Sequence, residues 1–220
     1  MQKPELPFER FAALPAENCM HAFVHRVPGV DVSYDKAEVL ARLDEVHREV
    51  RNALGVGERE FVTAQQVHGN EVAIFDHFSL PNECFAGCDG LITNQPNVCL
   101  GIYVADCCAV YLVDPIKRCI GLVHSGKKGS ELEISARAIA LMQEKFGSRP
   151  DDLIVQLSPC IRPPHYEIDF ASAIVEQCRV AGVKHVHDCQ TCTACDLERY
   201  YSYRLEKGKT GRMLALLALR

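Results

Sequence analysis

Apolar residues recur along this chain in two rhythms, and the changes of rhythm mark its elements. Val39, Leu43, Val46, Val50 and Leu54 repeat at helical spacing, which predicts one amphipathic helix over 36–54. Asp35 or Ser33 can cap its start, and Gly55 suits its C-terminal cap. Residues 61–75 read as strand, turn and strand, with HGN at Gly69 as the turn. From Cys88 to His124 the runs CDGLITN, CLGIYVADCCAVYLVDP and CIGLVH are apolar and broken by Pro, Asn and Asp-Pro, so this stretch is strand-rich. A helix is predicted over about 131–146, with Ser130 and Glu133 at capping-box spacing and Gly147 at its end. DLIVQLSP reads as a buried strand, 171–180 as a short helix and GRMLALLALR as a final strand. Strands outnumber helices and many are adjacent in sequence. That pattern predicts a mixed α+β fold rather than a regular βαβ winding. Residues 1–220 read as a single domain, with no repeat or low-complexity linker.

Composition narrows the function classes. The formal charge is -5 and no long run has one sign, which argues against a nucleic-acid surface. Lys127 with Lys128 is a local basic spot. The stretch MQKPELPFERFAALPAE carries charges and prolines where a signal peptide needs an apolar core. No apolar run is long enough for a transmembrane helix, so the expectation is a cytoplasmic protein without a membrane partner. There are 12 cysteines, and in that compartment they read as reduced thiols, small core side chains or metal ligands. Cys99, Cys108, Cys119 and Cys178 lie in apolar surroundings and read as core. Cys84, Cys88, Cys107, Cys189, Cys192 and Cys195 are the ones that carry candidate chemistry.

The junction VHSGKKGSE, 123–131, leaves an apolar run and enters an amphipathic one. A helix start offers unpaired N–H groups and a positive dipole end. Gly126 and Gly129 are placed to let backbone approach a ligand, and Lys127 and Lys128 add charge, so the turn is a candidate anion site. Its spacing is not that of a P-loop; the plain alternative is a glycine turn with solvated lysines. His124 ends the apolar run CIGLV, His68 stands in QQVHGN, and Cys107 in VADCC. Two imidazoles and a thiolate would leave one position of a tetrahedral zinc open, provided the three converge. Spacing alone does not show that they do.

These segments together resemble the YfiH-like, or multicopper polyphenol oxidoreductase (laccase-domain), family. QVHG at 66–69 is similar to the family's first histidine motif. CDGLITNQPNVCLGIYVADCCAVYLVDP is similar to its A-D-G-L-[VI]-T … T-A-D-C segment. VHSGKKG stands where the family has V-H-A-G-W-R-G, SPCIRPPHYEID resembles G-P-C-I-G followed by Y-E-V, and CTAC with SYRLEKGKTGRM resembles its closing motif. The resemblance implies sheets packed together with helices on the outside. It also implies a zinc site of His68, Cys107 and His124, with copper a lesser candidate. The implied chemistry is phosphorolysis of adenosine, inosine or methylthioadenosine, with adenosine deamination and peptidoglycan-precursor editing also associated with the family. The implied partners are therefore a small nucleoside and phosphate.

Beside the triad, Arg204 and Arg212 are candidate anion donors, and Asp106 is placed either to orient a ligand or simply to hydrogen-bond a strand end. Multicopper oxidation needs several histidine-rich sites; nine histidines with His185–His187 as the one H-x-H pair do not supply them. The chain departs from the family where Trp-Arg becomes Lys127-Lys128 and where a loop glycine becomes Arg162, which puts substrate choice, and even retention of activity, in question. Two other readings use the same residues or their neighbours. Cys107 could be a nucleophile activated by His124 or His68, or Cys84, Cys88 and the cysteines of CQTCTAC could hold a structural zinc with thiolates alone. Oligomeric state is not legible.

Overall fold

The run MLALLAL is apolar at every position because the strand it forms, β12 (Met213–Leu219), has no solvent face. Met213, Ala215 and Leu217 enter one apolar cluster, and Leu214, Leu216 and Ala218 enter another, as a side-chain period of two requires. In β8 (Cys108–Asp114) the same split occurs. Ala109, Tyr111 and Val113 join the first cluster, whereas Cys108, Val110 and Leu112 join a third. The computed structural model describes residues 6–76, 79–80 and 83–220. In it these alternations stack the chain in layers: helix, sheet, sheet, helices.

The first sheet has the order β1 (Phe8–Glu9), β2 (Cys19–Val24), β12, β7 (Val98–Val104), β3 (Glu60–Gln65), β5 (Cys84–Ala86). The second has the order β11 (His185–Asp188), β10 (Ile154–Leu157), β8, β9 (Cys119–Ser125), β6 (Gly90–Thr93), β4 (Val72–Phe75). Phe23, Leu100 and Ile102 of one meet Tyr111, Ile120 and Leu122 of the other in a shared core. Val50 of α1 (Lys36–Ala53) packs on the outer face of the first sheet with Leu214 and Leu216. α3 (Ile134–Phe146) and α4 (Phe170–Val180) cover the second through Ala138, Met142, Ile174 and Cys178. The expected α+β fold of sheets with outer helices is the fold observed, and Cys99, Cys108, Cys119 and Cys178 are buried as expected. Among the described residues no helix is long and apolar enough to cross a membrane. The N-terminal stretch read for a signal peptide is described only from Leu6 onward.

Two expectations change. The HGN turn does not close a hairpin. β3 lies in the first sheet and β4 in the second, each paired in parallel with other strands, so residues 66–71 carry the chain between layers. The helix expected over 131–146 is two helices, α2 (Lys127–Glu131) and α3. Glu133 between them has φ 58, and Ser130 does not cap it: its hydroxyl donates back to the Gly126 carbonyl at 2.8 Å. The break is held from outside. Gln177 Nε2 donates to the Ser130 carbonyl at 2.6 Å, beside the Glu133 N–H at 3.0 Å, and Asn70 Nδ2 donates to the Leu132 carbonyl at 3.1 Å. Gly147 ends α3 in the left-handed region, as expected.

Candidate metal centre and its cavity

The β8–β9 ladder places the first two candidate ligands side by side. Ala109 pairs with His124 and Cys108 with Ser125, so Cys107, just before β8, comes level with the end of β9. His68 arrives from the other sheet, on the crossing after β3. The three bring one ligand atom each to within 4.8 Å of one another, and the two imidazoles stand at 80° with centroids 4.8 Å apart.

Asp89 explains how residues from two sheets meet. It sits just before β6, which pairs with β9, and is fully buried. Its Oδ2 accepts the Val67 and Gly69 N–H groups at 3.1 and 2.7 Å, and its Oδ1 accepts that of His68 at 2.9 Å. The same Oδ1 lies 2.7 Å from His124 Nδ1. One carboxylate thus fixes the loop that carries His68 and the ring of His124, leaving Nε2 of His124 to face Cys107, the carboxylate–histidine arrangement that supports metal ligands. His68 has φ 60 and Asp106, beside Cys107, φ 76; such left-handed residues persist where surrounding bonds hold them.

The electrostatics suit a thiolate. Burial pushes the Cys107 thiol up, but His124 and then His68 outweigh it and hold it at about 6. Burial would lower His124, but Cys107 and Asp89 raise it to about 9. The protein's own groups therefore balance as a thiolate against an imidazolium.

The triad lies in a cavity of about 630 Å³. Aromatic side chains Tyr103, Tyr166, Phe170 and Tyr203 line it, with five cations: Lys36, Lys127, Arg204, Lys207 and Arg212. Desolvation, and then the neighbouring Arg212, hold Lys36 below the usual lysine range, a repulsion that an anion would relieve. Among the described residues Asp106 supplies the one carboxylate of the lining, and its acceptors are already engaged. Thr193 Oγ1 donates to it at 2.7 Å, Ser202 Oγ at 3.0 Å and the Arg204 N–H at 2.7 Å. Asp106 therefore ties rim loops together, as the plainer of its two sequence readings has it.

The glycine turn differs from its expected role. A Cβ at Gly126 would lie 2.5 Å from Cys107 Sγ, so this glycine makes room for the sulfur rather than for a ligand. Gly129 is buried inside the five-residue α2 and does not line the cavity. Of the two lysines, Lys127 lines the cavity, its ammonium 2.7 Å from Glu131, while Lys128 is exposed and lies outside the lining. Arg204 lines the cavity and pairs with Glu167 at 3.0 Å. The all-thiolate reading fails: among the described residues two groups of three or more His, Cys, Asp or Glu converge, and Cys84, Cys88 and Cys189 are in neither. Arg162, where a family glycine was expected, forms a largely buried ion pair with Asp188.

A profile of the family described as "Multi-copper polyphenol oxidoreductase laccase" matches residues 25–171 and 165–220. The chain belongs to this family. A Deinococcus radiodurans protein named purine nucleoside phosphorylase is 30% identical across 100% of this chain and 95% of its own. Purine nucleoside phosphorylase YlmD of Geobacillus stearothermophilus is 27% identical across 87% of this chain and 82% of its own. The crystal structure of that organism's YlmD superposes with a TM-score of 0.79 at 23% identity, covering 98% of this chain and 100% of the other. At that identity the likeness concerns the fold.

The motifs leave unmarked the aromatic walls Tyr103, Tyr166, Phe170 and Tyr203, the cations Lys36 and Lys207, and also Asp89 and His165. Asp89 lies in the quoted CDGLITN, where an aspartate inside an apolar run is a signal that it has buried partners to satisfy. His165, in SPCIRPPHYEID, belongs to the second converging group, with Cys192 and Cys195.

Proposed function

We propose that this protein is a zinc-dependent purine nucleoside phosphorylase acting on adenosine, inosine or methylthioadenosine. The cavity carries the reading: it sets a borderline-soft ligand set beside aromatic walls and an excess of positive charge. One thiolate and two imidazoles suit zinc with an open fourth position, and among the described residues the converging groups are too small for a multicopper centre. The names of the relatives above support the substrate class.

In this reading His68, Cys107 and His124 hold the metal, with Asp89 orienting His124. The chemistry the metal would supply is Lewis acidity at its open position. Tyr103, Tyr166, Phe170 and Tyr203 offer faces and edges for a purine. Lys127, Arg204 and Arg212 hold phosphate and offset its charge as it attacks the ribose carbon and the base departs.

The low thiol pKa of Cys107 also fits a nucleophilic cysteine. One experiment separates the readings. Metal-loaded protein is incubated with adenosine and with inosine, with and without phosphate. Base release that requires phosphate, lost after chelation and restored by zinc, is the expected result. Ammonia release without phosphate would mean deamination. Activity that survives chelation and is abolished by thiol alkylation would mean the cysteine mechanism.

A further inference from the structure

We propose that His165, Cys192 and Cys195 form a second zinc site, separate from the His68–Cys107–His124 centre, that clamps one wall of the cavity. The donors are already placed. His165 Nδ1 lies 3.8 Å from Cys192 Sγ and 3.7 Å from Cys195 Sγ, and all three ligand atoms fall within 4.8 Å of one another. Zinc bonds of about 2.3 Å to sulfur and 2.0–2.1 Å to nitrogen imply nitrogen–sulfur edges of roughly 3.6 Å in a tetrahedron. The observed separations lie within about 0.2 Å of that edge.

The local backbone produces the arrangement. Cys192 and Cys195 flank a single tight turn in which the Cys195 N–H donates to the Cys192 carbonyl at 3.2 Å, turning both thiols to one side. The turn is anchored to the segment carrying His165: Cys160 N–H donates to the Thr191 carbonyl at 3.2 Å, and Thr193 N–H to the Cys160 carbonyl at 3.1 Å. A disulfide between the two cysteines would leave unexplained why the same imidazole nitrogen faces both sulfurs. Two thiolates and one imidazole make a thiophilic set, and water completes four-coordination at the partly exposed site.

The position gives the ion a task. Thr193, between the two cysteines, donates to Asp106, the neighbour of Cys107. His165 is followed by Tyr166, which lines the cavity. An ion on this set joins the 160–166 segment to the 191–195 turn and so fixes the Tyr166 wall.

The test counts zinc in reductant-treated protein, saturated with zinc and then desalted. The parent is expected to hold two ions per chain. His165→Ala and Cys192→Ser/Cys195→Ser should each hold one, and Cys107→Ala/His124→Ala should hold one. With cobalt in place of zinc, thiolate-to-metal absorption should fall to about one third in the double serine variant, since one thiolate of three remains. All the altered residues of the second group are partly or fully exposed, so circular dichroism should show folded variants. If His165→Ala and the double serine variant hold as much zinc as the parent, the proposal is wrong. It is equally wrong if Cys192 and Cys195 are found as a disulfide while the zinc-saturated chain holds a single ion.

Discussion

The sulfur of Cys107 occupies the space that a side chain at Gly126 would need: a Cβ there would sit 2.5 Å from Sγ and 3.5 Å from the Cys107 Cβ. Gly126 has φ -105, which any residue can adopt, so space and not backbone freedom demands glycine. Gly126→Ala should therefore push the thiolate out of register with His124 and weaken zinc binding by roughly tenfold or more, the scale of a disturbed ligand environment. Gly129→Ala is the control. Its Cβ would meet neighbours at an ordinary 3.5 Å, and within a helix the change should be neutral or stabilising by up to about 1 kcal/mol. Competition against a chelator reads the affinity, and equal affinities for the two variants would refute the packing argument.

Asp89→Asn should weaken metal binding by about 10–100-fold, as loss of a carboxylate behind a ligating histidine does. Whichever way the amide turns, its NH2 faces two groups that now donate or bond to a carboxylate oxygen: Val67 and Gly69 on one side, His68 and His124 on the other. Leaving such buried donors unmatched should also cost about 1–3 kcal/mol of stability. Zinc titration and urea unfolding check both, and a variant with parental zinc affinity would show that Asp89 serves the loop alone.

How far the sequence reveals this site depends on how the chain brings residues together. α1 and the buried strands are legible because one helical stripe and several two-faced apolar runs need no tertiary information. His68, Cys107 and His124 are legible through motifs. That His165 meets Cys192 and Cys195 is not, because it depends on the pairing of Cys160 with Cys192 far along the chain. The role of Gly126 is likewise hidden, since its neighbour is a sulfur from the loop before β8. At the split between α2 and α3, Gln177 and Asn70 bond to the backbone from outside, contacts that no local propensity records.

The two lysines of the glycine turn should separate in kinetics. Lys127 lines the cavity and Lys128 does not. Lys127→Ala should raise the KM for phosphate several-fold and reduce its salt dependence, because one of the exposed screening-sensitive charges is gone. Lys128→Ala should match the parent in both. Lys127→Arg should retain phosphate use, with a planar fork in place of a point charge. Steady-state rates against phosphate at two ionic strengths decide it; an equal effect of the two alanine variants would mean that the turn acts through general surface charge.

Acid stability should depend on His47, which is buried on α1, packs 5.8 Å from the Tyr103 ring of the cavity wall, and has no hydrogen-bond partner at either ring nitrogen. Desolvation, and then the nearby Arg51, lower its pKa to about 4. In the unfolded chain it returns to about 6.5. Between those values the unfolded state binds the proton and the folded state does not, so stability is unaffected above about pH 6.5 and falls as pH drops toward 4. The full loss from this one group is about 3 kcal/mol, at about 1.4 kcal/mol for each pKa unit. His21 is also lowered to about 4, so the parent should lose stability through both. His47→Leu keeps the apolar volume and removes one of the two proton sites. At matched metal loading, urea unfolding at pH 7.5 and pH 4.5 should show a drop smaller in the variant than in the parent by roughly 2–3 kcal/mol. Identical drops would mean that His47 gains a proton in the fold as readily as outside it, and that the α1 face next to Tyr103 opens to water at low pH.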